Sequence, residues 1–405
     1  MKKTHVAMIC LLLCALAQGM ALGTAMAANP AGEAEAAASV NRTAFRLYGV
    51  LAPDRGNFCF SPYSISTVFA MTYAGARGET EAEMRQAFTF GENIHTSYGR
   101  LQHLLTSPPP GAGELISANS VWPQSGYRLQ APFRTTLRDD YHLVPTPLDF
   151  EKNPERARNT INEWVRDHTK ERIANLLQEG SVDTGTRMVL VNAVYLKAPW
   201  LEPFKEGATE MKPFAAPDGE VQTPTMSKRE FLSYAENSAM RAVRIPYRQG
   251  MFSMTILLPQ EEAGMEALTS SLSPELVDEI DRSIQKRFVD LALPKFRVES
   301  DFELSAAVRA LGVRSAFEPG GADFSGINGS RNLFIGTAVH QAFIEVDEGG
   351  TEAAASTAVS MVRTAMPLES TPLEFFVDRP FVFFIRDELA RSILFLGRVD
   401  NPSKK

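Results

Sequence analysis

The sequence predicts an α+β protein folded as one large unit, and three observations carry that expectation. Apolar residues recur at helical spacing in several segments up to His168, whereas from Met188 onward the apolar runs are short and strand-like. No Pro/Gly/Ser linker, acidic run or internal repeat divides the 405 residues. With 44% hydrophobic and 22% charged residues, the chain has the balance of a protein that buries a large core.

The first residues stand apart. Lys2 and Lys3 precede the apolar run Val6 to Ala17, and Ala25-Met26-Ala27 then supplies small residues for a signal peptidase. Residues 1–27 are therefore read as a signal peptide and 28–405 as the mature domain, exported to an extracellular or periplasmic location. An uncleaved membrane anchor is the rival reading, because few polar residues interrupt positions 6 to 27. A lipid anchor on Cys14 is disfavoured by Leu13, which stands where a small residue is needed. Cys10 and Cys14 leave with the leader, so the mature chain keeps Cys59 alone and forms no internal disulfide. Removing two lysines and no acid takes the formal charge from −7 to −9, since 41 − 2 = 39 basic residues then face 48 acidic ones. That surface argues against nucleic acid, and against an anionic membrane once the leader is gone. His95, Arg100 and His103 are too sparse for a polyanion site.

Val40, Ala44, Leu47 and Leu51 form the stripe of a first amphipathic helix. Ser61-Pro62 opens a second, with the serine capping free N–H groups and the proline at the first helical position. Gly75 to Gly78 ends it, and Thr80 with Glu83 reads as a capping box for a short helix closing near Phe88. Pro108 to Gly111 is a loop, and Leu115 to Trp122 a strand. Asn153-Pro154 starts a longer helix with Ala157, Ile161, Trp164, Val165 and His168 on one face, where a lone histidine is expected to be packed. Strands are then expected at Met188 to Lys197, Ala242 to Tyr247, Met251 to Leu258, Val289 to Leu293 and Leu333 to Val346. The runs Phe381 to Ile385 and Ile393 to Val399, joined by a polar turn, read as a buried hairpin.

Catalytic machinery is not evident. The chain has no G-x-S-x-G, H-E-x-x-H, paired C-x-x-C, phosphate loop or G-x-G-x-x-G. Cys59 lies in the apolar context Asn57-Phe58-Cys59-Phe60, which suits an inert thiol. The histidines at 95, 103, 142, 168 and 340 have no ligand spacing, so neither metal nor cofactor is expected, and an enzyme is the weak hypothesis.

One region does not fit a static fold. Asp347 to Thr371 shows neither a turn motif nor an amphipathic pattern, and a loop of that length inside a compact domain is usually functional. Within it Thr351, Ala353, Ala355, Thr357, Val359 and Met361 share one parity and are small or apolar. The intervening Glu352, Ala354, Ser356, Ala358, Ser360 and Val362 are more polar, as in a strand with one buried face. An alanine-rich surface loop or short helix is the bland alternative.

Here the sequence resembles a family. Glu345 to Val359 is similar to the hinge of inhibitory serpins, and Asn57 to Ile65 followed by Gly75 to Thr80 is similar to the serpin opening motif. Asn192 to Lys197 with Trp200 and Phe204 resembles the central-strand motif. Pro246-Tyr247, Ser253-Met254, Leu257 to Pro259, Leu293 to Phe296, Ala322 to Gly326 and Arg379 to Phe381 recur in order, so the likeness spans about residues 40 to 402. It implies a serpin fold with three β-sheets, about nine helices and an exposed reactive-centre loop at about 348–372, in an exported, bacterial-like, monomeric member. The implied function is suicide inhibition of serine proteases, with cysteine proteases as a further class, by insertion of the cleaved loop into the central sheet. A non-inhibitory serpin acting as a binding or chaperone-like protein is the alternative.

By the same resemblance Glu348, Gly350, Thr351, Glu352, Ala353, Ala354 and Ala355 form the hinge. Ser61, Ser64, Asn192 and His340 match a polar shutter beneath the sheet, which is also what a hydrogen-bonded core histidine looks like. Trp200, Lys295 and Glu348 match the breach where insertion starts, a Lys295–Glu348 ion pair being an ordinary surface pair otherwise. Family spacing puts the reactive bond at Thr364-Ala365, while chemistry favours Arg363-Thr364, since a guanidinium suits an acidic specificity pocket. The implied partners are trypsin-like or elastase/subtilisin-like proteases. In this reading Thr351 is an inward-parity residue of an uncut loop that is still exposed.

Overall fold

The computed structural model describes residues 32–173, 175–260, 264–351 and 371–404. The signal-peptide reading therefore lies outside the described residues, as do Glu352, Ala353, Ala354, Ala355 and the candidate reactive bond at Arg363, Thr364 and Ala365.

Helices dominate the first part of the chain. Helix α1 (Ala34–Leu51) buries Val40, Ala44 and Leu47. Strand β1 (Phe58–Phe60) leads into α2 (Pro62–Tyr73), whose start is set by Ser61: its side chain accepts from the Ser64 N–H, with proline in the first turn. Every residue of α2 is buried, so it is a core helix rather than an amphipathic one. Helix α3 (Gly78–Phe88) departs from the expected capping box. It begins two residues before Thr80, whose hydroxyl instead pairs with Ser315 and accepts from the Asp323 N–H. Glu83 likewise reaches the Arg314 and Ser315 N–H groups, so both polar side chains answer tertiary donors. Helices α4 (Ile94–Thr106), α5 (Ala131–Tyr141) and α6 (Pro154–His168) follow around strand β2 (Glu114–Pro123).

Strands then take over: β3 (Met188–Pro199), β4 (Glu210–Ala216), β5 (Gly219–Glu236), β6 (Met240–Pro246) and β7 (Phe252–Pro259). Short helices α7 (Gly264–Ser271) and α8 (Pro274–Ser283) precede β8 (Gln285–Pro294) and β9 (Phe296–Glu303). Next come α9 (Ser305–Ala310), α10 (Ser325–Asn328), β10 (Thr337–Val346), β11 (Gly350–Thr351), β12 (Leu373–Phe376), β13 (Phe381–Asp387) and β14 (Ile393–Val399). The last two pair antiparallel as the expected hairpin. Strands β4, β5 and β9 escape the apolar-run criterion because polar residues alternate through them with one face exposed.

Two hydrogen-bonded systems result among the described residues. A nine-stranded one has the order β1-β14-β13-β7-β6-β5-β8-β12, with β4 on β5. The long β5 pairs β6 at its far end and β4 and β8 before that, so the three sheets expected from the sequence appear as two hydrogen-bonded systems, the larger continuous through β5. The five-stranded sheet has the order β2-β3-β11-β10-β9. Its interior strand β3 is apolar almost throughout because both faces are covered. On one side Val189, Val191 and Ala193 meet Ala157, Ile161 and Val165 of α6; on the other Leu190, Val194 and Leu196 join the main core with α2.

Candidate functional site

Strands β3 and β10 run parallel and pair directly from Val189↔Thr337 to Tyr195↔Phe343. Beyond that point a third strand lies between them. After Val346 the chain turns back, and Gly350 and Thr351 pair antiparallel with Pro199 and Ala198 of β3, while Thr351 faces Val346 of β10. The expectation of a loop without a turn motif is corrected here. The Asp347 carboxylate accepts from the Gly349 and Gly350 N–H groups at 2.8 and 3.2 Å, an Asx-type turn that opens the segment. Exposure of Thr351 is corrected as well: it is 0% exposed, and its hydroxyl lies 2.5 Å from that of the equally buried Tyr247. At Gly350 a Cβ would come within 2.2 Å of the Ala198 oxygen and 2.7 Å of Pro199 Cα, so only glycine lets the strand approach so closely.

Around this turn the structure brings Trp200, Lys295 and Glu348 together. Lys295 Nζ is 2.7 Å from Glu348 Oε2, and the Thr209 hydroxyl donates to Glu348 Oε1 at the same distance. Burial pushes the Glu348 carboxyl upward, but those two bonds outweigh it and hold the group below its usual value. Trp200 donates its indole N–H to the Asp347 carbonyl and its backbone N–H to that of Gly349, and its ring stacks on Tyr247 at 4.4 Å. Phe204 adds a backbone bond to Glu348. Tyr247 and Thr209 are site residues that sequence reading did not identify. Pro246-Tyr247 carries a signal only as a family motif, and Thr209 carries none.

Deeper in the sheet Ser61, Ser64, Asn192 and His340 also converge. All four are buried, and His340 faces Asn192 across the β3–β10 pairing. His340 Nε2 accepts the Ser61 N–H at 3.0 Å, so the ring proton is on Nδ1 and donates to Asn192 Oδ1. Asn192 in turn donates to Ser64 Oγ and Asn119 Oδ1, each at 2.6 Å. Burial pushes the His340 imidazole down to about 3 and keeps it neutral. Asn119 and Ser117 complete the network from β2, where Asn119 lies opposite Asn192. Sequence reading missed this pair because strand register, not a motif, places them.

Cys59 is fully buried, donates weakly to the Val298 carbonyl, and burial pushes its thiol far upward, which suits an inert thiol. His168 differs from expectation: it is exposed at the end of α6, stacked on Trp164 at 4.1 Å. Among the described residues no helix is long and apolar enough to cross a membrane.

A sheet whose two central strands are parted at one end by the start of a long loop defines a class of protein, and comparisons identify it. A profile of the serpin (serine protease inhibitor) family matches residues 38–402. A serpin-like protein of Thermococcus kodakarensis is 37% identical over 367 residues, covering 90% of this chain and 85% of that one. The leukocyte elastase inhibitor of Equus caballus is 37% identical, covering 86% and 93%. Among solved structures, uncleaved ovalbumin matches with a TM-score of 0.82 at 26% identity, over 91% of this chain and 100% of that one. Human thyroxine-binding globulin also reaches 0.82, at 29% identity over 91% and 99%. The chain belongs to the serpin family. Membership sets it among protease inhibitors rather than catalysts and makes proteases its general class of partner, although the fold also serves ovalbumin and a thyroxine-binding globulin.

Proposed function

We propose that the protein is a suicide inhibitor of serine proteases that traps the acyl-enzyme by inserting its cut loop into the five-stranded sheet. The observation that supports this most is β11. Gly350 and Thr351 already lie as a strand between β3 and β10, and ahead of them these two strands pair directly with each other. In this reading the protease serine attacks the carbonyl carbon of the bait residue. An ester to the enzyme forms, the peptide C–N bond breaks, and the new amine leaves with the C-terminal segment. Before water can cleave the ester, Glu352, Ala353, Ala354 and Ala355 follow Thr351 into the sheet, carrying the tethered protease with them. Serpin loops are a general example of strand addition, in which main-chain hydrogen bonds to a sheet supply the driving force. Glu348, Trp200 and Lys295 gate the entrance, while Ser61, Ser64, Asn192 and His340 must part for β10 to separate from β3.

Arg363 is assigned as the main bait residue, for trypsin-like enzymes, with Thr364 open to elastase- or subtilisin-like ones. Lys2, Lys3 and the apolar run behind them support export of the monomer to an extracellular or periplasmic site. The test is to mix the protein with trypsin, elastase and subtilisin, separate covalent complexes on a denaturing gel and weigh the released peptide. Arg363→Ala is expected to lose trypsin trapping and keep elastase trapping. Unchanged trypsin trapping overturns the assignment of Arg363; cleavage by every protease with no complex favours the non-inhibitory reading that ovalbumin-like neighbours suggest.

A further inference from the structure

Beside the C-terminal end of β3 lies a concavity of about 710 Å³, built from four chain segments. They are the glycines before β2, the turn after α6, the last residues of β3 and the turn between β6 and β7. The charge on its walls is one-sided. Lys170, Arg172, Lys197 and Arg248 stand against Glu114 and Glu171, four cations to two carboxylates in a chain whose formal charge is −7. Glu114 lies opposite Lys197 in the β2–β3 register, yet its carboxylate bonds to Lys170 at 2.5 Å. Lys197 is exposed, and its ammonium has no ion-pair partner among the described residues. The backbone around the pocket is held in a costly shape. Six non-glycine residues among those described have a left-handed φ, and three of them, Lys170 (50°), Glu171 (65°) and Gln249 (64°), stand in or beside these walls. The turn after α6 is pinned from within: the buried Thr169 hydroxyl bonds to the Val165 carbonyl and accepts from the Ile173 N–H, while the Glu171 N–H reaches the Arg166 carbonyl. Strain of this kind gathers at ligand clamps. On the opposite wall a Cβ at Gly113 would come within 2.6 Å of the Lys197 oxygen, so glycine draws the segment before β2 close against β3.

We infer that this pocket binds a phosphate dianion, either free or as the monoester of a small neutral molecule. Cations gathered in one concavity repel each other, and an anion seated between them turns that repulsion into attraction. Guanidinium groups present paired N–H donors that match two phosphate oxygens at once, and a lysine adds a point charge. Lys197 is the anchor, because no carboxylate competes for it, and Arg172 and Arg248 face it from the two turns. The volume exceeds what one phosphate fills and leaves room for a neutral group attached to it. None of these charged residues belongs to the hinge, the breach or the shutter, so the inference stands apart from protease trapping.

Inorganic phosphate and glucose-6-phosphate are the probes, titrated into the whole uncut protein at pH 8 and low salt and followed by calorimetry and phosphorus NMR. Saturable binding to one site is expected. Lys197→Met should weaken it roughly ten-fold, as loss of one charge-assisted bond does. Glu114→Gln should tighten it, because an opposing charge leaves the wall, and Lys286→Met, away on β8, should not change it. Binding should fall with added chloride and as pH drops through about 6, where a phosphate monoester gains its second proton. Equal affinity for the two probes assigns free phosphate, and tighter binding of the sugar phosphate assigns the monoester. No saturable binding of either probe overturns the site, as does a Lys197→Met protein that binds like wild type while melting at the same temperature. Weaker binding by Glu114→Gln overturns the electrostatic account. Affinity that climbs steadily with chain length along a polyphosphate series replaces the pocket with an open basic surface. No protease enters the titration, so its failure leaves the trapping reading as it stands.

Discussion

His340 sits between a backbone N–H and an amide oxygen, which makes its charge state a structural variable. With Nε2 accepting from Ser61, a second proton has nowhere to go: the protonated ring would set N–H against N–H. The folded ring titrates at about 3 against 6.5 for a free histidine. Between those values the unfolded chain binds a proton that the folded one refuses, so stability rises with pH and is lost as pH falls from about 6.5 towards 3. The slope is at most ~1.4 kcal/mol per pH unit. Urea midpoints from pH 7.5 to 4 should show this fall, and His340→Asn should flatten it relative to wild type. His95, pushed down to about 4 by burial, acts equally in both proteins and cancels in the difference. Thr351 gives the second test at this scale. Because it is already buried against Tyr247, Thr351→Arg must either bury an unpaired guanidinium or undock β11. Undocking is cheaper, losing a few hydrogen bonds worth ~2–3 kcal/mol in all. The uncut variant should melt slightly lower and be cut as a substrate, whereas Glu352→Arg, on the opposite parity, should still trap. Complexes formed undiminished by Thr351→Arg would show that insertion does not run along this parity.

At the scale of elements, the turn joining β10 to β11 is held from both sides. Asp347 closes it internally, and Glu348 ties it to Lys295 before β9 and to Thr209 before β4. The Glu348 side chain is 14% exposed and that of Lys295 38%, so the pair is only partly screened. Lys295→Met is expected to cost the uncut protein about 1 kcal/mol, below the ~1.5–3 kcal/mol of a fully buried charged bond. High salt should shrink the difference between the two proteins. Denaturant midpoints at low and high ionic strength check both statements, and an unchanged midpoint would leave the pair as a surface contact. The start of α2 was legible because Ser61 and Pro62 act on their own backbone. Thr80 and Glu83 have the same local grammar, yet distant donors at Asp323, Arg314 and Ser315 claimed them.

For the whole molecule, the intact sheet is a five-stranded system whose middle strand β11 is two residues long. Extending it would add ladder hydrogen bonds on both sides and bury Val359 and Met361, each worth ~1.5–3 kcal/mol. Cutting the loop frees the chain to do so. Protein cleaved between Arg363 and Ala365 should therefore melt far above intact protein, where an ordinary nicked domain melts at or below it. Differential scanning calorimetry before and after clean cleavage decides between the inhibitory and the non-inhibitory reading.

Sequence alone determined what depends on local chemistry and pattern. The α+β order, the final hairpin, the helix beginning at Ser61-Pro62 and the alternating small residues after Gly350 all follow from spacing along one chain. A string of motifs in order also sufficed for the family. Tertiary structure decided the rest, because long-range register is not written in any one segment. It set Asn119 opposite Asn192, laid Tyr247 beneath Trp200 and against Thr351, and drew Thr80 away from its own helix. It also showed that the loop begins inside the sheet: an open gap between β3 and β10 offers Gly350 and Thr351 backbone partners and a buried hydroxyl that water outside could not match in position.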